Sequence, residues 1–238
     1  SRKSTQILDK IVFPKLSQMF RTSQFVTGDF SPHHCFLPDD TYGQALDALV
    51  KACSDVLLLS PDKQSVFLGR RKVEPQPDWW FVGGRSKPGD STQEAAARNV
   101  KRELKLVIEP SRFETVGNYS FVWKFRQQEP QDHGTADIST VHMVHLTVDE
   151  AVRCDKAMDP KEYRDSQWIK IADILASDTF HPALKQAIGD LVTKLKFESL
   201  RSAVAQSTSN AEVAACAKEL VLWHSCGATR DTARTKVL

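Results

Sequence analysis

No apolar run in this chain is long enough to cross a bilayer. A spanning helix needs roughly 20 apolar residues in a row, whereas the longest candidate, Val56-Leu57-Leu58-Leu59, is strand-sized. A membrane partner is therefore not expected. Cysteine is scarce too: Cys35, Cys53, Cys154, Cys216 and Cys226 are scattered, odd in number and free of any Cys-x-x-Cys pair. That argues against a secreted disulfide framework and for a reducing compartment, the cytoplasm or, as the alternative, the mitochondrion. Internal repeats and long low-complexity tracts are absent, which leaves one folded unit with appendages rather than an array. Excess charge of either sign is also missing. Lys and Arg number 32 against 30 Asp and Glu, a net charge of +2, so the overall balance does not argue for nucleic acid, although basic patches stay open. His33-His34-Cys35 looks metal-like, but no second ligand pair lies at a suitable spacing, and a loop is the better reading.

What is present suits an ordinary soluble chain. Hydrophobic residues make up 41% and charged residues 26% of the 238 positions, enough to build a core. The first 21 residues hold Arg2, Lys3, Lys10, Lys15 and Arg21 against one acid, Asp9. This is the composition of part of an organelle presequence and equally of a basic arm. Residues 1–45 read as an arm with one short helix near Ile7 to Met19, followed by a helix through Ala45, Leu46, Leu49 and Val50 capped by Asp40 or Thr41. The period then changes. Asp55 to Ser60, Ser65 to Gly69, Trp79 to Val82, Phe113 to Phe125, Ser139 to Val148 and Gln167 to Ile169 read as strands. Ser91-Thr92-Gln93-Glu94 is a capping box ahead of a helix to about Leu106. From Pro182 onward the chain reads as helical, with Leu184, Ile188, Leu191 and Leu195 on one face serving as core or as a partner face, and a last helix from Ala211 to Trp223. The predicted class is α+β: a mixed sheet between helices, with a central domain over 46–180 and a helical extension over 181–238.

One segment carries the chemistry. Gly84-Arg85-Ser86-Lys87-Pro88-Gly89-Asp90, then seven residues, then Arg98-Asn99-Val100-Lys101-Arg102-Glu103-Leu104-Lys105-Leu106 resembles the Nudix box, G-x5-E-x7-R-E-U-x-E-E-x-G-U. The preceding Trp79-Trp80-Phe81-Val82-Gly83-Gly84 also looks like the strand and corner of that family, and the likeness extends over roughly residues 48–178. Cleaving a diphosphate derivative requires cations and donors around the anion. A Gly-Gly corner lets backbone approach phosphate and leaves a carbonyl for a metal. Glutamates one turn apart on the next helix hold Mg²⁺ in the family, and positions 99 and 103 share a face here.

The pattern departs from the family at the metal set. Asp90 stands at the first glutamate, Arg98 is kept, Asn99 and Arg102 replace two glutamates, and Lys105 replaces the glycine. Only Glu103 remains. Like charges near 4 Å repel by about 4 kcal/mol per unit pair at an effective dielectric of 20, so Arg102 beside a dication must swing away or contact phosphate itself.

The same positions are broken in GDP-mannose mannosyl hydrolases, which this sequence resembles in Gly69-Arg70-Arg71, Pro75, Trp80-Phe81-Val82, Gly83-Gly84-Arg85, Leu175-Ala176-Ser177-Asp178 and His181. The proline before Gly83 is missing. That resemblance implies Mg²⁺ held by the Gly84 carbonyl, Glu103 and Glu162, with Arg71 and Arg85 taking the charge of a departing nucleoside diphosphate. It also places Tyr163 where the catalytic histidine would stand. A phenol with a pKa near 10 is a poor base at neutral pH, which leaves His133, His142 or Asp165 as substitutes. Lys87 and Arg98 complete the expected substrate-binding set, although Arg98 has a structural reading as a partner of Asp90. One of Trp79 and Trp80 is expected in the core and the other free to stack a base.

Two functions follow. The first is a Mg²⁺-assisted hydrolase of a nucleoside diphosphate derivative, with a nucleotide sugar foremost. The alternative is a catalytically silent module that binds RNA or a protein partner, as in a mitochondrial ribonucleoprotein assembly. The apolar faces of the extra helices also allow a homodimer.

Overall fold

We describe the computed structural model over residues 22–154, 158–206 and 209–226. The basic cluster of residues 1–21, and the short helix anticipated within it, lie outside the described residues. Among the described residues no helix is long and apolar enough to cross a membrane.

Helix α1 (Asp39–Ala48) starts directly after Pro38, which leaves the anticipated caps Asp40 and Thr41 inside its first turn, and it carries no side-chain cap. The seven strands are β1 (Lys51–Leu59), β2 (Ser65–Arg71), β3 (Trp79–Trp80), β4 (Val82–Arg85), β5 (Glu114–Trp123), β6 (Thr135–His145) and β7 (Tyr163–Lys170). The helices after α1 are α2 (Thr92–Leu104), α3 (Val148–Cys154), α4 (Ile171–Ala176), α5 (Pro182–Ala205) and α6 (Asn210–Cys226). The α+β expectation holds.

The unbroken apolar run Val56–Leu59 is fully buried, as a strand covered on both faces must be. β1 is the axis of the sheet: it runs parallel to β6 along its whole length, and β6 pairs with β5. On its other edge β1 pairs with β2 only at its C-terminal end and with β4 at Cys53 to Val56. The stretch Trp79 to Val82 anticipated as one strand is therefore two. β3 pairs with β2 and β4 with β1, and the chain changes partner at Phe81.

Each face of the sheet has a core. Leu57, Leu59, Val141 and Met143 pack with Leu184, Ile188 and Leu191 of α5, which settles that helical stripe as core. Val56, Leu58, Val144 and Leu146 pack with Ala96, Val100 and Leu104 of α2. α6 lies on α5, and its Trp223 Nε1 donates to Thr193 Oγ1 at 3.1 Å.

α2 begins as its sequence dictates. Ser91 Oγ accepts from Glu94 N at 3.2 Å, and Glu94 Oε2 accepts from Ser91 N at 2.7 Å. It ends at Lys105, whose φ of 57° is left-handed, a conformation that suits glycine at a helix C-terminus. A side chain there costs about 1 kcal/mol, which explains why the box carries glycine at this position. Lys105→Gly is expected to stabilise the protein by about 0.5–1 kcal/mol, less the entropy a glycine adds to the unfolded chain. Urea denaturation measures it, and a destabilised variant would overturn the explanation.

Candidate functional site: a cationic cleft beside the glycine corner

Residues 51, 53, 55, 57 and 59 of β1 point to one face. Leu57 and Leu59 are core, whereas Lys51, Cys53 and Asp55 line a cleft of about 190 Å³. The parallel register sets Asp137 and Ser139 of β6 beside Lys51 and Cys53. The remaining walls are Arg71, Trp80 and the corner Gly83 to Arg85, with Phe121 and Trp123 of β5, Tyr42 of α1, Arg102 of α2, and Glu162 and Tyr163.

The polar groups are held by partners. Lys51 Nζ lies 3.0 Å from Asp137 Oδ1, and Trp123 Nε1 donates to Asp137 Oδ2 at 2.7 Å. Ser139 Oγ donates to Asp55 Oδ2 at 2.7 Å. Burial pushes the Asp55 carboxyl up to about 6, against the pull of that bond and of the Arg71 charge. The Arg85 guanidinium sits over the Tyr42 ring at 4.9 Å and has no acidic partner among the described residues. Arg71 Nη2 donates to the Glu74 carbonyl at 3.3 Å, which aims its head along the wall. Burial raises the Cys53 thiol far above its ordinary range, so it stays protonated.

The cleft gathers Arg71, Gly84, Arg85, Glu162 and Tyr163. It does not gather the rest of the anticipated set. Arg98 is committed elsewhere: Nε and Nη2 donate to Asp90 Oδ2 at 3.0 and 2.7 Å, and Nη2 also reaches the Arg85 carbonyl. It braces the corner against α2, as the structural reading of Arg98 as a partner of Asp90 has it. Lys87 is exposed and outside the cleft lining. Burial, and then the nearby Glu103 charge, drive the Tyr163 phenol still further up, which removes it as a base at neutral pH. None of the three substitutes lines the cleft. His133 contacts Asp47 at 3.2 Å in a second cavity, His142 is buried, and Asp165 is exposed on β7.

The Gly84 and Glu103 oxygens anticipated as metal ligands are already engaged. The Gly84 carbonyl accepts Asn99 Nδ2 at 2.9 Å. Glu103 Oε1 accepts Arg102 Nε at 2.8 Å and Nη2 at 2.6 Å, and Arg102 Nη2 reaches the Gly83 carbonyl at 3.0 Å. Glu103 is 5% exposed and lies behind Arg102 rather than in the cleft lining, where Glu162 stands. Among the described residues no cluster of three His, Cys, Asp or Glu stands ready for an ion. Mg²⁺ demands several unengaged oxygens, and the residues here do not fit it.

Sequence reasoning missed Lys51, Asp55, Asp137, Ser139 and Tyr42. The even spacing of 51, 53 and 55 on a strand was a usable signal for a shared face, but not for what that face meets. Trp80 is the core tryptophan, at 6% exposure and edge-on to Phe121 and Trp123. Trp79 is only half-buried, with Arg70 5.8 Å over its ring.

Among solved structures, the chain is similar to a MutT protein from Methanosarcina mazei Go1, with 17% identity, a TM-score of 0.45, and coverage of 58% of this chain and 90% of that one. It is similar to a MutT NUDIX hydrolase from Burkholderia pseudomallei, with 14% identity, a TM-score of 0.47, and coverage of 60% and 98%. It is also similar to the NUDIX domain of Shewanella oneidensis NrtR complexed with ADP ribose, with 16% identity, a TM-score of 0.44, and coverage of 62% and 89%. No curated protein matches the chain. The model of the NUDIX domain matches residues 51–191, more than half of the sequence, and the chain belongs to that family.

Proposed function

We propose that the cleft binds a nucleoside diphosphate derivative, with nucleotide sugars as the first class. The observation that carries this reading is the convergence of Arg71 and Arg85, from separate elements, on one cavity with aromatic walls. Guanidinium forks match phosphate oxygens two at a time, and the partly buried Trp123 and Tyr42 offer aromatic surface to a base or sugar. The volume decides how much of the ligand is enclosed. Pockets that engulf a whole ligand measure roughly 300–1,000 Å³, so 190 Å³ encloses the diphosphate and one neighbouring ring and leaves the rest over the mouth. GDP-sugars head the panel on the motif resemblance in Gly69-Arg70-Arg71 and Leu175-Ala176-Ser177-Asp178 alone, which goes beyond the NUDIX family match.

Calorimetric titration with ADP, GDP and their sugar conjugates tests the proposal. Saturable binding is expected, and Arg71→Gln should weaken it roughly tenfold. A folded protein that takes none of the panel at millimolar concentration would defeat it.

Hydrolysis is a second reading, favoured by Asp55. A carboxyl with a pKa of about 6 inside the cleft is mostly ionised at pH 7.5 and is a competent proton acceptor. Asp55 would take the proton of an attacking water while Arg71 and Arg85 receive the charge of the departing nucleoside diphosphate. Turnover of the panel, abolished in Asp55→Asn, separates an enzyme from a module that only binds.

A further inference from the structure

We infer that this site has exchanged its metal ion for a tethered cation: the Arg102 guanidinium stands where the glycine corner and Glu103 would hold a divalent ion, and it offers phosphate a contact that needs no metal. The phosphate half of this inference rests on the proposed reading of the cleft; the exchange itself does not.

Three oxygens at the corner would suit a hard cation, and each already accepts an N–H. Asn99 Nδ2 takes the Gly84 carbonyl, Arg102 Nη2 takes the Gly83 carbonyl, and Arg102 Nε and Nη2 take Glu103 Oε1. The two substituted box positions therefore act together. Asn99 supplies two donors where the family pattern has a carboxylate, and its Oδ1 accepts Arg98 Nη1 at 3.1 Å and Arg102 Nη1 at 3.4 Å. A neutral amide thus locks the corner, and a cation one turn on neutralises the remaining acid.

The depth ordering gives Arg102 its second role. Glu103 is 5% exposed behind it, whereas the Arg102 side chain is 52% exposed and lines the cleft. A guanidinium has five N–H donors. Those bonds use four of them, leaving one Nη1 N–H for a ligand oxygen. Lysine could not do this, because a single ammonium lacks the planar fork that spans a carboxylate and a carbonyl while keeping a donor in reserve. The corner itself is shaped around the side chain: a Cβ at Gly84 would meet Arg102 Nη2 at 3.0 Å.

The test has a metal arm and a ligand arm. In the metal arm, Mn²⁺ is titrated by electron paramagnetic resonance against wild type and the N99E/R102E double variant, which rebuilds the acidic face. Wild type is expected to show no site tighter than about 1 mM, and the double variant a single site at least roughly tenfold tighter. Stoichiometric binding by wild type overturns the exchange, as does a folded double variant that binds no better than wild type. If circular dichroism shows the double variant unfolded, wild type decides alone: the Arg102 Nε–H resonance should escape Mn²⁺ broadening, and selective broadening refutes the inference. In the ligand arm, inorganic pyrophosphate is titrated in EDTA. Binding by wild type that falls roughly tenfold in Arg102→Gln supports the contact, and binding that appears only when Mg²⁺ is added overturns it. Pyrophosphate that never binds counts against the proposed function and the phosphate contact together, while the Mn²⁺ result still judges the exchange.

Discussion

Replacing Asp55 with asparagine is expected to stabilise the protein at pH 8, by up to about 3 kcal/mol, and to leave it unchanged near pH 4. Asp55 is 7% exposed, and burial lifts its carboxyl from 3.8 to about 6. A folded-state pKa above the unfolded one means that the folded chain holds the proton more tightly. The stabilisation is complete below pH 3.8 and is lost as pH rises through 6. At pH 8 the wild type therefore carries a buried charge, eased but not cancelled by Ser139 and Arg71. Asparagine keeps the shape, and its amide can donate to Ser139 Oγ in place of the bond that Asp55 now accepts.

His142 makes this prediction sharper. Burial lowers its pKa from 6.5 to about 4, and neither ring nitrogen finds a hydrogen-bond partner. Its folded-state pKa is depressed, so its contribution is present above pH 6.5 and drains away as pH falls toward 4. The Asp55 and His142 slopes oppose each other between pH 4 and 6, with His181, whose pKa burial also lowers, on the side of His142. Asp55→Asn removes the opposing slope, so the variant should lose more stability on acidification than the wild type. Urea denaturation from pH 4 to 8 shows this directly. A variant less stable than wild type at pH 8, or one with the same pH profile, would remove Asp55 from the account of both stability and chemistry. A gain in stability with loss of turnover would identify it as a strained catalytic acid–base group.

The sequence carried the local half of this structure. The capping box, the amphipathic α2 and the order of strands follow from spacing and residue type, because caps and periodicity are set within a few positions of the chain. The long-range half was not written locally. Nothing near Lys51 or Asp55 announces that a parallel pairing more than eighty residues away brings Asp137 and Ser139 alongside. The box also identified which positions to watch and which had changed charge, but not where the new side chains would turn. Arg102 was expected to swing away or to meet phosphate; it folds back on its neighbour Glu103 and on the corner, a contact the box did not announce. That choice depends on Asn99 closing the adjacent carbonyl, a three-body arrangement that no pairwise spacing encodes.

Arg126 shows the same limit, and Arg126→Met is expected to cost about 2–3 kcal/mol. The residue had no place in any motif, yet it is 1% exposed and ties a loop to a helix. Its Nη1 donates to Asp47 Oδ1 of α1 at 2.6 Å and to the Gly134 carbonyl at 3.3 Å. Its Nε reaches the Gln128 carbonyl at 3.1 Å, and Nη2 the Glu129 carbonyl at 3.3 Å. Methionine fills the stem but leaves the buried Gly134 carbonyl without its donor, an unmet acceptor costing about 1–3 kcal/mol, while the partly buried Gln128 and Glu129 carbonyls can turn to water. Asp47→Asn should cost less, since Asp47 is 40% exposed and water replaces the arginine there, while Arg126 keeps its carbonyls. The consequence reaches the cleft. Gly43 packs against the Glu129 carbonyl, and its neighbour Tyr42 carries Arg85 on its ring, so a loosened loop frees α1 and with it one wall of the site. Arg126→Met should therefore also weaken nucleotide binding, in a protein still folded at low temperature, with faster amide exchange across residues 126–134. A cost below about 1 kcal/mol, or full binding with the loop exchanging freely, would show that α1 and Tyr42 are held by something other than this buried guanidinium.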